Sequence, residues 1–193
     1  MPRLPQVYTL NTHELARRAG EMKEYQLDIE VPEKVGVELI SVPVGEIIEV
    51  DARLESVTEG ILLTAEIFAV AKGECTRCLD PVEIELDRKI QELYYYAQKS
   101  ERSKKKRNDD EDDLDTEEEL MMDGDIMDME GPIRDAIVLS LPINPVCGSE
   151  CQGLCPECGA KWVEVGQDHA HETIDARWAS LSGLELPDPD FKN

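Results

Sequence analysis

Six cysteines carry most of the chemistry available to this sequence. Cys75-Thr-Arg-Cys78 and Cys155-Pro-Glu-Cys158-Gly159 are both C-x₂-C pairs. Such a turn lets two thiolates face one tetrahedral ion while backbone N–H groups point at the sulfurs, and Gly159 helps the second turn reach its left-handed conformation. Two such turns brought together supply four sulfurs, the closed ligand set of a structural zinc site, and an ion there contributes folding free energy directly. Cys147 and Cys151 add two more thiols in Cys147-Gly-Ser-Glu-Cys151-Gln-Gly-Leu-Cys155. One ion needs four ligands, so the choice stays open. Paired C-x₂-C turns favour Cys75, Cys78, Cys155 and Cys158. Cys75 and Cys78 with Cys147 and Cys151 come next, and the four thiols from Cys147 to Cys158 could also form a local site. Zinc is the expected cofactor, although four thiolates serve iron equally.

The competing use of these thiols is redox catalysis, which needs a cation or helix N-terminus to lower a thiol pKa. Arg77 is a candidate cation, but Cys75 ends a strand and leads into Pro81 with no helix to follow. An excess of cysteines also suits ligation better than a single dithiol. His13, His169 and His171 are the only histidines. His169-Ala-His171 reads as exposed, with a ligand role the lesser reading. No nucleophile elbow, P-loop or dinucleotide fingerprint is present, so no catalytic residue and no small-molecule substrate is expected. Trp162 and Trp178 read as packing residues around the Cys-rich end.

The elements that must position these thiols follow from periodicity. Asn11 to Gly20 reads as a short helix, capped by Asn11 and stopped by Gly20. From Glu24 the period changes to two: Tyr25, Leu27, Ile29 and Val31 alternate with acidic and polar residues, as in a half-buried strand. Ile48 to Leu54 repeats this, as does Val82 to Leu86 running on toward Tyr96, and Gly60 to Ala71 is apolar enough for a central strand. Short connections such as Val57-Thr-Glu-Gly60 favour antiparallel hairpins. Pro132 suits a first helical turn, followed by Ile133, Ala136, Ile137, Ser140 and Leu141 on one face, with Leu141-Pro142 as the stop. A last short helix is expected around Asp175 to Leu181. The expected fold is α+β: an antiparallel sheet, open or closed into a small barrel, with short helices and a Cys-rich C-terminal segment. One domain is expected overall, with a β-rich part over 1–97, an insert over 98–125, and a helix plus Cys-rich segment over 126–193 that packs back on the sheet.

Charge divides along the same boundaries. The formal net charge is −23, from 43 acidic and 20 basic residues. Between Asp109 and Glu130 there are 13 acids and no Lys or Arg, leaving −10 over the other 171 positions. A basic cluster, Lys99, Arg102, Lys104, Lys105, Lys106 and Arg107, precedes that run. The segment from Gln98 to Gly124 is low-complexity and reads as an unstructured insert. A uniformly basic nucleic-acid binder is excluded, although local RNA contact through Lys99 to Arg107 stays open. No apolar run is long enough to span a bilayer, and Met1-Pro2-Arg3-Leu4 lacks the core of a secretion signal. A cytoplasmic protein with reduced thiols is expected.

Taken together, several of these segments resemble the YceD family, the large ribosomal RNA subunit accumulation proteins of bacteria and chloroplasts. They are Cys75-Thr-Arg-Cys78-Leu79, the Leu139-Ser-Leu-Pro142 helix end, the run from Cys147 to Gly159, and Ile174-Asp-Ala-Arg-Trp-Ala-Ser-Leu181. Ala176 stands where that family's closing motif usually has Pro. The resemblance implies a non-enzymatic factor in ribosome biogenesis with a structural metal, and the net charge makes a basic ribosomal protein or pre-ribosomal particle the expected partner. Two other readings compete: a dithiol or metal-dependent redox enzyme, and a zinc-stabilised interaction module unrelated to ribosomes.

Overall fold

The computed structural model describes residues 6–96, 119–166, 168–171 and 177. A 3-10 turn, Gln6–Tyr8, leads into strand β1, Thr9–Asn11. Strands β2 (Met22–Glu30), β3 (Val35–Gly36), β4 (Ile40–Val42), β5 (Ile47–Ser56), β6 (Gly60–Glu74) and β7 (Pro81–Tyr95) follow. Strand β8 (Ile126–Asp128) and helix α1 (Glu130–Ser140) complete the elements.

All named strand pairs are antiparallel. The long β6 is the centre of the main sheet. β7 pairs with its entire length on one edge, while β5 and then β4 share the other. β2 lies outside β5, and β3 outside β4. Alternation fixes the register, because a one-residue slip would turn every apolar side chain to the wrong face. Ile48, Val50, Ala52 and Leu54 of β5 are thus buried beside Ile61, Leu63, Ala65 and Ile67 of β6. Gly73 is required where β4 joins: a Cβ there would stand 2.3 Å from the Leu39 carbonyl oxygen.

The sheet is open, which corrects the barrel option. Its apolar face is covered by other elements instead of by its own curvature. Ile133 and Ile137 of α1, with Met122, Met127 and Met129, complete the core. Helix α1 packs against β7 and β3. It ends as expected: Leu141 is extended ahead of Pro142, where the proline ring disfavours helical backbone.

Two further expectations are corrected. Residues 12–20 are a series of turns, not the helix expected over Asn11–Gly20. Only Thr12 and Leu15 are buried there, so a helix would have no apolar face to pack. Asn11 Oδ1 accepts from the His13 N–H, and Arg17 pairs with Asp125 at 2.6 Å. Residues 119–125, expected in the insert, belong to the fold: Met122 is buried, and a parallel bridge joins Tyr95 to Met121.

The opposite face of the sheet is acidic. In register across four strands stand Asp28, Glu49, Phe68 and Asp87, and beside them Gln26, Asp51, Glu66 and Lys89. The chain divides into two compact units, Met1–Cys151 and Gln152–Asn193. The expected C-terminal helix over 175–181 lies outside the described residues apart from Arg177. Among the described residues no helix is long and apolar enough to cross a membrane.

Candidate metal centre

The β6–β7 hairpin ends in a tight knuckle. The Cys75 N–H donates to the Asp80 carbonyl at 2.7 Å, and the Leu79 N–H donates back to the Cys75 carbonyl at 2.9 Å. Leu79 takes a left-handed φ of 61°, the only non-glycine with positive φ among the described residues. Closing the turn this way aims backbone donors at sulfur, and the Arg77 N–H reaches Cys75 Sγ at 3.4 Å.

The loop after α1 brings the other two thiols. Thr76 anchors it, donating through both its N–H (2.9 Å) and its hydroxyl (3.1 Å) to the Pro145 carbonyl. The Arg77 guanidinium donates to the Cys151 carbonyl at 3.0 Å. Cys75, Cys78, Cys147 and Cys151 thereby converge, their sulfurs all within 4.8 Å of one another.

These distances fit a metal and not disulfides. Cys75 Sγ and Cys151 Sγ are 3.8 Å apart, and Cys78 Sγ and Cys147 Sγ 3.5 Å. A disulfide needs about 2 Å, whereas zinc–sulfur bonds of about 2.3 Å in a tetrahedron put sulfurs about 3.8 Å apart. Cys75 and Cys78 are buried and Cys147 is exposed, so the donors form a cup with one open side. Such an ion would supply a clamp between the hairpin and the segment that follows α1.

Electrostatics prepares one thiol as a ligand. Burial raises the Cys75 pKa, but the backbone N–H groups of Cys147, Arg77 and Cys78 outweigh it and bring it down to about 6. Cys78 moves the other way. The Asp80 amide opposes the change, but burial and the sulfurs of Cys75, Cys147 and Cys151 push Cys78 up to about 12.

The sequence comparison bears on this arrangement directly. The family model described as large ribosomal RNA subunit accumulation protein YceD matches residues 63–185. The chain belongs to the YceD family. It is 38% identical over 183 residues to an uncharacterized protein of Mycobacterium tuberculosis and to one of Mycobacterium bovis, covering 94% of this chain and 83% of each relative. An uncharacterized protein of Mycobacterium leprae is 34% identical over 177 residues, covering 90% of this chain and 76% of its own. No solved structure matches. The YceD match takes in all six cysteines, His169 and His171.

Within this YceD chain the candidate ligands fall into two groups. Cys75 and Cys78 lie with Cys147 and Cys151, the second-ranked set. The physical reason is the Pro145 and Cys151 carbonyls, which bind the knuckle and bring the nearer thiols to it. Cys155 and Cys158 converge instead with His169 and His171, histidines whose sequence context reads as exposed. The signal for them is spacing: a C-x₂-C turn followed 11 residues later by H-x-H. Arg77, a candidate redox cation by sequence, instead holds the loop. Lys99, Arg102, Lys104, Lys105, Lys106 and Arg107 lie outside the described residues.

Proposed function

We propose that this YceD-family chain is a non-enzymatic factor in the accumulation of large-subunit ribosomal RNA, a cytoplasmic protein whose sheet is clamped by a structural zinc ion on Cys75, Cys78, Cys147 and Cys151. Family membership carries the reading of function, and the sulfur spacing supports the ion. A dithiol enzyme would need a substrate to reach the nucleophile. Cys75, the thiol with the lowered pKa, is fully buried.

The partner we propose is a basic ribosomal protein, alone or within a pre-ribosomal particle. Support comes from the sheet face that α1 leaves uncovered. Glu24, Asp28, Glu49, Asp51, Glu83, Glu85 and Asp87 are exposed there. Such a face repels the phosphate backbone and attracts Lys and Arg. Depletion of the protein in its source cells should lower large-subunit ribosomal RNA relative to small-subunit RNA. Affinity capture should recover large-subunit proteins, with recovery falling as salt rises. Unchanged ribosomal RNA on depletion would defeat the proposal and favour a metal-stabilised module with an unrelated partner.

A further inference from the structure

The unit Gln152–Asn193 repeats the knuckle of the β6–β7 hairpin by itself. The Cys155 N–H donates to the Ala160 carbonyl at 2.7 Å, and the Gly159 N–H donates to the Cys155 carbonyl at 2.8 Å. Gly159 supplies the left-handed residue, with φ 71°, and Leu154 and Lys161 form an antiparallel bridge across the turn. The fold of this turn again points backbone N–H groups inward, and those of Cys158 and Glu157 hold the Cys155 thiol below its ordinary value although burial opposes them.

What faces this knuckle is imidazole. The ligand atoms of Cys155, Cys158, His169 and His171 lie within 4.8 Å of one another. Cys158 Sγ is 3.4 Å from His169 Nε2, and the two Nε2 atoms are 2.8 Å apart. A tetrahedral zinc with two sulfurs and two nitrogens sets S···N edges of about 3.5 Å and N···N edges of about 3.3 Å. The first edge is met, and the second needs an opening of about half an ångström. Trp162 props the cluster, its ring set edge-on to His169 with centroids 5.5 Å apart.

Among the described residues of this unit nothing apolar competes for the role of core. Of those residues only Gly153 and Cys155 are buried, and Val163 is 71% exposed. The unit is also close to the roughly 40-residue size below which domains depend on metals or disulfides. We propose that Cys155, Cys158, His169 and His171 are a second tetrahedral site for a borderline divalent ion of the zinc type, and that this ion takes the place of a hydrophobic core in residues 152–171. Two sulfurs and two imidazoles in a tetrahedron suit zinc. The chain therefore binds two ions at sites of different chemistry: four thiolates leave a net −2 around the first, two thiolates and two neutral imidazoles leave the second neutral.

The test is cobalt titration of the full-length metal-free chain, followed by native mass spectrometry and visible absorption. The expected result is two ions per chain. The paired variant Cys155→Ser/Cys158→Ser should take up one ion, with the absorption of a four-sulfur site. Cys75→Ser/Cys78→Ser should also take up one, with about half the sulfur-to-cobalt intensity and the ligand-field bands of a two-sulfur, two-nitrogen site. His169→Asn/His171→Asn keeps all six thiols and should lose the second ion at least tenfold in affinity. A wild-type chain that binds one ion, or a His169→Asn/His171→Asn variant that still binds two with an unchanged spectrum, overturns the proposal. Amide resonances of residues 153–165 should disperse in wild type only after the second ion is added. Full dispersion in the metal-free chain would remove the folding role.

Discussion

Two C-x₂-C knuckles in one chain share a backbone and differ in almost everything around it. The first turns between β6 and β7 and sits on a sheet with a continuous core. Its partner thiols come from far along the chain: Cys75 and Cys151 are 76 positions apart. The second turns within a short segment, takes its other ligands 11 residues on, and has no apolar core among its described residues. The difference separates two uses of a metal. Where a core exists, an ion fastens distant segments. Where the described residues offer none, as around Cys155, the proposed ion would stand in for a core.

The largest expected effect breaks this comparison by removing metal. For a site occupied at 1,000 times its Kd, loss of the ion costs about 4 kcal/mol. Cys75→Ser should lower the melting temperature of the sheet, read by far-ultraviolet circular dichroism, yet leave a cooperative transition. Cys155→Ser should leave that transition in place and abolish amide protection in 152–171 only. A graded chelator titration should strip the exposed Cys2His2 site before the more buried four-thiolate site.

Next in size is Ile137→Ala, which leaves a cavity where α1 meets the sheet. Its cost should be about 3 kcal/mol by chemical denaturation, with both ions still bound. If instead the sheet unfolds outright while metal is present, the first unit depends on its ion as fully as the second, and the distinction fails.

A smaller effect compares the knuckles residue for residue. Leu79 and Gly159 hold equivalent left-handed positions. A side chain costs about 1–2 kcal/mol there, and Leu79, at 61% exposure, recovers little by burial. Leu79→Gly should therefore stabilise the metal-bound protein by about 1 kcal/mol. Gly159→Leu should weaken the second ion about tenfold, measured by competition with a chelating dye. The smallest change is Arg77→Ala. It removes one hydrogen bond to the Cys151 carbonyl and should cost under about 1 kcal/mol, faster metal exchange at the first site being the readout.

The sheet was legible because its strands obey a period of two over long stretches, and β5 to β7 fall within a few residues of the expected positions. The absence of closure was not legible, because alternation says which face is apolar and not what covers it. Here α1 and the methionines around β8 cover it. Asn11–Gly20 shows the reverse: good capping residues, but only Leu15 of its apolar side chains buried. Ligand identity was legible as residue type but not as pairing. Cys-x₂-Cys spacing fixes which two sulfurs share a turn, while carbonyls such as that of Pro145 decide which others are brought to it. His169 and His171 lacked any local apolar context, and their meaning emerges only opposite Cys155 and Cys158.

The bridge between Tyr95 and Met121 has a consequence for how the chain can vary. The Tyr95 N–H donates to the Leu120 carbonyl at 2.8 Å, and the Met122 N–H donates to the Tyr95 carbonyl at 2.9 Å. The strand therefore departs and re-enters at one fixed gate. Loop-closure entropy rises only with the logarithm of length, about 0.6 kcal/mol for each doubling. A change in the number of residues that join the two sides of this gate should accordingly cost the sheet little. That makes the gate a socket: a place where one lineage can change its charge pattern, or an experimenter can insert a reporter, while both sets of cysteines stay as they are.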